Sequence, residues 1–295
     1  MNSSRKSIVT NAVRLTLLLS ALSLNAYAAV ESVTEISVPT ILAGREDSGA
    51  VWYAQLEILN RTDQDVPVGI MAYNNNGETA FLDPHSLATD PLTVPADGKL
   101  LRFIRADSEP LEQGWIEIEH TVGPDGATLI QASATLIRVE GQDVTNTVIP
   151  GSQVLGQVRT IALANYFGPL LGAASEIFQM TAYALVNPLL EASTVTVELH
   201  QWDGDSEVRT KSFELPPKGR RALFLHEIFT DPDLLAVPGA IVDTFTLLPP
   251  SVRKTGLLVI SGAGAESSGV GAGTLEVDFR TGRLSPRDVR PAVLE

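Results

Sequence analysis

The chain repeats itself. Leu59-Asn60 recurs 127 residues later as Val186-Asn187, the alternating Val68, Ile70 and Ala72 recur as Val195, Val197 and Leu199, and Asn76-Gly77 recurs as Asp203-Gly204. Three features sharing one spacing describe one supersecondary unit used twice, because a strand fixes a side-chain period of two and an Asn-Gly or Asp-Gly pair fixes where the chain reverses. Further on, Leu92, Val94, Pro95 and Gly98 match Phe213, Leu215, Pro216 and Gly219 at a spacing of 121, so the first copy carries six extra residues around 83–90. Gly114-Trp115-Ile116 matches Gly256-Leu257-Leu258 at 142, which places a 21-residue insertion of the second copy between about Thr230 and Pro250. Thr135-Leu136 matches Thr274-Leu275 at 139. The spacing changes where Pro, Asp and Gly gather, as insertions into loops require.

Between these anchors the patterns are those of strands. Trp115–Thr121 and Ser193–His200 alternate apolar and polar residues, are rich in β-branched and aromatic side chains, and are bounded by Gly or Pro. About seven such runs per copy predict an all-β chain of two tandem antiparallel β-sandwiches, with helical turns expected only at Leu225–Phe229 and Gly168–Phe178. The expected domains are residues 29–145 and 159–295, joined by a linker over 146–158 where Gly, Pro and polar residues replace the alternation.

Arg5, Lys6 and Arg14 precede an apolar run from Leu15 to Leu24 and the triplet Ala26-Tyr27-Ala28. This pattern predicts a signal peptide over residues 1–28, cleaved before Ala29, and hence a periplasmic or extracellular protein. The run is shorter than the ~20 apolar residues that span a bilayer, so no membrane insertion of the mature chain is expected. The chain has no cysteine, which excludes a lipid-modified cysteine and a disulfide framework. Three of its 21 basic residues and none of its 35 acidic ones lie in the leader, so 18 basic residues face 35 acidic ones in the mature chain, a formal charge of −17. Such a polyanion repels nucleic acid and anionic lipid.

Ala184-Leu185-Val186-Asn187-Pro188, then Thr194-Val195-Thr196-Val197, Asp203-Gly204, Leu215-Pro216-Pro217-Lys218-Gly219 and Thr255-Gly256-Leu257 resemble an uncharacterised extracellular β-sandwich repeat of secreted bacterial proteins. The first half fits more loosely, with Asn60-Arg61 lacking the proline and Val94-Pro95-Ala96-Asp97-Gly98 carrying one proline rather than two. The resemblance implies an Ig-like or fibronectin-like sandwich and says nearly nothing about function.

Catalytic patterns are incomplete. Ala265-Glu266-Ser267-Ser268-Gly269 lacks the first glycine of a nucleophile elbow, and Gly269, Gly271 and Gly273 precede no expected helix that could receive a phosphate. His85, His120, His200 and His226 are scattered and read as surface residues, without the short spacing that zinc sites use. Asp203-Gly204-Asp205-Ser206-Glu207 offers oxygen ligands to calcium, but a hairpin turn demands Asp-Gly on its own account. No catalytic, metal or cofactor residue is therefore assigned, and no cofactor is expected.

The candidate partner-binding residues are Tyr166, Phe167, Leu170, Leu171 and Trp202. The apolar stretch 166–174 stands where the first copy has the polar Gly44-Arg45-Glu46-Asp47, so it packs against the other domain or faces a partner. Trp202 sits at the lip of a hairpin, with exposure and burial both open. The leading expectation is a non-catalytic module for surface attachment, scaffolding or ligand binding, its partner an unknown protein or glycan at the cell surface or in the periplasm. A pilus-type chaperone acting by strand addition, and an enzyme with a site assembled from loops, are the alternatives.

Overall fold

In the computed structural model, the described residues are 33–80, 92–104, 110–121, 123, 128–153, 159–169, 178–230, 251–263, 271–278, 283–287 and 289–291. The expected leader, the six-residue insertion and the 21-residue insertion lie outside them. The first half contains β1 (Val33–Arg45), β2 (Val51–Asn60), β3 (Val66–Asn74), β4 (Leu92–Val94), β5 (Lys99–Ile104), β6 (Glu112–Thr121), β7 (Ile130–Glu140), β8 (Asp143–Pro150) and β9 (Ser152–Gln153). The second contains β10 (Arg159–Pro169), β11 (Gln179–Val186), β12 (Ser193–His200), β13 (Arg209–Leu215), β14 (Arg220–Phe224), β15 (Ser251–Ala263), β16 (Gly271–Asp278), β17 (Arg283–Arg287) and β18 (Val289–Pro291), with one short helix, α1 (Leu225–Ile228).

The pairings of the two halves correspond strand for strand. One sheet runs β4-β3-β6-β1-β9 in the first half and β13-β12-β15-β10-β18 in the second; the other runs β5-β2-β7-β8 and β14-β11-β16-β17. All pairs are antiparallel, and the ends of β1 and β10 cross over to pair with β2 and β11, tying the two layers together. The fold is two tandem β-sandwiches. Alternation explains it locally: every second residue of β2 is buried, from Trp52 to Asn60, and these face Ile36, Val38, Val68, Ile70, Ile116 and Ile118 of the other sheet in one core. The second core gathers Tyr183, Leu185, Val195, Val197, Leu199, Trp202, Leu258 and Ile260.

Three expectations need correction. Residues 146–150 belong to β8, paired along its length with β7, and 152–153 to β9, so the first domain reaches into the expected linker 146–158. The pairing of Leu59 with Gln131 and of Val186 with Gly271 sets the spacing of the last strands at 140 rather than 139. That single step turns Leu275 from the counterpart of core-facing Leu136 into that of outward-facing Thr135. His120 is buried in the first core at 2% exposure, because it lies on the inward face of β6 opposite Val68.

Candidate docking surfaces

The motifs of the repeat prove to be structural joints. Asn60 is buried, donates its amide to the carbonyls of Gln64, Val94 and Pro95, and accepts the N–H of Thr62. Asn187 does the same with Glu191, Leu215, Pro216 and the N–H of Leu189. In both halves the asparagine N–H bonds to the glycine carbonyl of the following turn, at Gly98 and Gly219, and the residue before that glycine takes a positive φ, 48° at Asp97 and 52° at Lys218. Asn74 and Gln201 each accept the N–H of the turn glycine three residues on, Gly77 and Gly204, whose φ values are 85° and 83°.

At the second of these joints the halves meet. β1 carries an extra residue at Pro39-Thr40, a bulge that β10 lacks, since its pairing with β15 runs uninterrupted. Arg220, fully buried, donates to the carbonyl of Pro39 at 2.7 Å, to Oγ1 of Thr40 and Oδ1 of Asn75 at 3.0 Å, and to Oε1 of Gln113 at 3.4 Å. Burial lowers its pKa from 12.5 to about 10, so it stays charged at neutral pH. Beside it, Lys218 bonds to Oε1 of Glu117 at 2.5 Å, and Oε2 of Glu117 accepts the hydroxyl of Tyr73. Trp115 stacks on Tyr73, packs against Val186 and donates its indole N–H to the carbonyl of Lys218. Burial, and then the charge on Glu117, raises the pKa of Tyr73 and also that of Glu35, on which Lys218 acts in the opposite direction.

Close approach is possible because Gly271 and Gly273 offer no side chain; a Cβ on the second would lie 2.3 Å from Cγ of Pro39. Leu275 and Leu284 pack against the first core from the second half. The outer face of the β1-β6-β3 sheet thus lies against the outer face of the β11-β16 sheet.

The counterpart of that first face lies on β10, β15 and β12. Its rows are Ile161-Val259-Glu198 and Leu163-Leu257-His200, where the first half has Ser37-Glu117-Met71 and the row of Trp115 and Tyr73. Leu163 is 53% exposed. Phe167 continues the same outward face, and Arg253 lies over its ring at 5.4 Å. A shallow hollow of about 110 Å³ at this end is lined by Asn165, Tyr166, Phe167, Gln179, Arg253, Thr255 and Glu276.

The structure separates the sequence-derived candidates. Tyr166 and Trp202 are buried at 2% and 3% in the second core, Trp202 within the turn Trp202–Gly204, so neither ring is presented as a platform. Phe167 is partly exposed at the end of that face, with Phe178 edge-on to its ring at 5.4 Å, and Leu170 and Leu171 lie outside the described residues. His200 bonds to Glu198 at 3.2 Å, and His226 contacts the sulfur of Met180. Among the described residues, no three His, Asp or Glu side chains gather as metal ligands do, and no helix is long and apolar enough to cross a membrane.

No family model and no curated protein sequence matches the chain. A solved structure described as an anti-sigma factor domain-containing protein is similar at 11% identity over 85% of this chain and 81% of its own, with a TM-score of 0.18, too low to inform fold or function.

Proposed function

We propose that the protein is an exported, non-catalytic Ig-like module that works as a rigid two-domain scaffold or binding unit in the periplasm or outside the cell. The observation that carries this reading is the use made of buried charge. Glu117 and Arg220 are taken up by bonds that hold one domain to the other, so their chemistry is spent on rigidity. Outward, the described residues offer sheet faces and a shallow hollow, surfaces suited to holding a macromolecule. The leader pattern supports export, and the acidic balance supports solubility and mutual repulsion there.

Two measurements test the reading. N-terminal sequencing of protein recovered from the periplasm or medium is expected to begin at Ala29; a mature chain beginning at Met1 would overturn export. Residues 29–295 incubated with chromogenic esters, glycosides and phosphomonoesters are expected to release no product above buffer. Saturable turnover that is lost on changing Arg253 and Glu276 together would overturn the non-catalytic assignment and place a site in the hollow.

A further inference from the structure

We infer that the hollow where β10 crosses onto β11 binds the carboxylate end of a single amino-acid residue, with Arg253 taking the carboxylate. The inference deepens the binding-unit reading and rests on it in taking the hollow to hold its ligand unchanged. The repeat supplies the warrant, because the same corner occurs twice, filled in the first copy and open in the second. In the first half β1 crosses onto β2 with Gly44 beside Trp52, and Trp52 beside Arg138 of β7. In the second, β10 crosses onto β11 with Phe167 beside Gln179, and Gln179 beside Asp278 of β16. The first corner is closed by a carboxylate of its own: Glu46 accepts the indole N–H of Trp52 and the guanidinium of Arg138, which also reaches Glu140.

The second corner lacks that plug. Two residues past Gly44 stands Glu46, whereas two past Phe167 stands Pro169, and 168–174 holds no charged residue. Gln179 replaces the indole, and its amide is drawn to Asp278 at 3.3 Å. A cation is present nonetheless. Arg253 of β15 pairs with Phe167, its guanidinium lies over that ring at 5.4 Å, and Phe178 meets the ring edge-on. This stack holds the guanidinium at the hollow, where among the described residues no carboxylate lies within ion-pair reach of it. On the same side Asn165 pairs with Thr255, and their side chains make no hydrogen bond among the described residues. A guanidinium without a counter-ion, flanked by an amide and a hydroxyl, is a fork for a carboxylate.

Size and charge narrow the ligand. A cavity of roughly 150 Å³ takes benzene, so the hollow of about 110 Å³ admits about six non-hydrogen atoms, a carboxylate with its Cα, Cβ and nitrogen. Phosphate and sulfate are disfavoured, because Glu276 lines the hollow and the chain carries a formal charge of −14, both of which oppose a multiply charged anion. A carboxylate brings a single charge, and the nitrogen on its Cα, ammonium or amide, is a donor suited to Glu276. So few atoms in an open hollow give a dissociation constant on the order of a millimolar.

Saturation-transfer NMR titrations of residues 29–295 with alanine and with acetyl-glycyl-alanine, each against its C-terminal amide, test this. At least one acid is expected to bind about tenfold or more tighter than its amide. The tighter acid identifies the source: alanine a free amino acid, the acetylated dipeptide the end of a chain. Arg253→Gln should remove the preference for the acid. Arg221→Gln, which alters the guanidinium lying over Phe213, outside the hollow, should keep it. Both arginines are exposed, so neither change threatens the fold. Failure of both acids to bind, equal binding of acids and amides, a preference that survives Arg253→Gln, or one lost equally in Arg221→Gln overturns the inference. Absence of binding in a chain that is exported and shows no turnover leaves the scaffold reading standing, whereas conversion of a probe to product overturns the non-catalytic assignment.

Discussion

A Cβ at position 204 would meet open space, whereas one at position 77 would fall 1.9 Å from the carbonyl oxygen of Pro217. Both positions have a positive φ that β-branched residues resist, at a cost of about 1–3 kcal/mol. Gly204→Val should cost that much and no more. Gly77→Val should exceed about 3 kcal/mol, since backbone of the other domain must also move; urea denaturation of the two variants compares them directly. His120 supplies a pH-dependent counterpart. Its Nδ1 lies 2.7 Å from the carbonyl of Thr121, its Nε2 is buried without a partner, and burial lowers its pKa despite the Thr121 contact. The unfolded chain therefore binds a proton more readily than the folded one, and stability must fall as pH drops below about 6.5. His120→Leu should reduce the loss in urea midpoint measured between about pH 7.5 and 5.5; an unchanged loss would mean that this imidazole does not titrate with unfolding.

At the level of elements, Arg220 joins the β13–β14 turn to the bulge of β1. Arg220→Met keeps much of the apolar stem but leaves the Pro39 carbonyl, the Thr40 hydroxyl and two amide oxygens without their donor, an expected loss of roughly 2–5 kcal/mol. Arg220→Lys should recover less than half, because one ammonium cannot reproduce a planar fork that reaches four acceptors; thermal denaturation of both variants checks this. Nothing in the sequence announces that socket. The strands and the repeat are legible because alternation and turn glycines are local, and Asn60 and Asn187 could be aligned although their bonds to distant carbonyls could not be read. The socket depends on a one-residue bulge in one copy, and the Thr-Leu pair that recurs at a spacing of 139 lies one residue off the register of the last strands. The burial of Trp202 and His120 is not legible in the sequence for a related reason. Burial at the end of a strand is decided by the other sheet, and Phe167 stands out by composition because it lies in the apolar stretch 166–174.

Across the whole molecule, the three tryptophans report on three regions. Trp52 is 8% exposed and donates to Glu46 in the first domain, Trp202 is buried in the second core, and Trp115 is fully buried between them. If the two sandwiches fold as one cooperative unit, each variant that keeps one tryptophan and carries phenylalanine at the other two should lose its fluorescence and its far-ultraviolet circular dichroism along one urea curve, with coincident midpoints. Coincidence is expected because the interface buries Glu117, Arg220, Val186 and Trp115 together, groups that neither domain could leave exposed or unpaired without a large loss. Adding Arg220→Met should separate the curves. Trp115 should then shift to the red first, while Trp52 and Trp202 follow at the midpoints of their own cores, since each sandwich retains a complete inner layer. Curves that already diverge in the parent background would show that the domains are joined by contact without cooperativity, and the rigidity on which the scaffold reading depends would be lost.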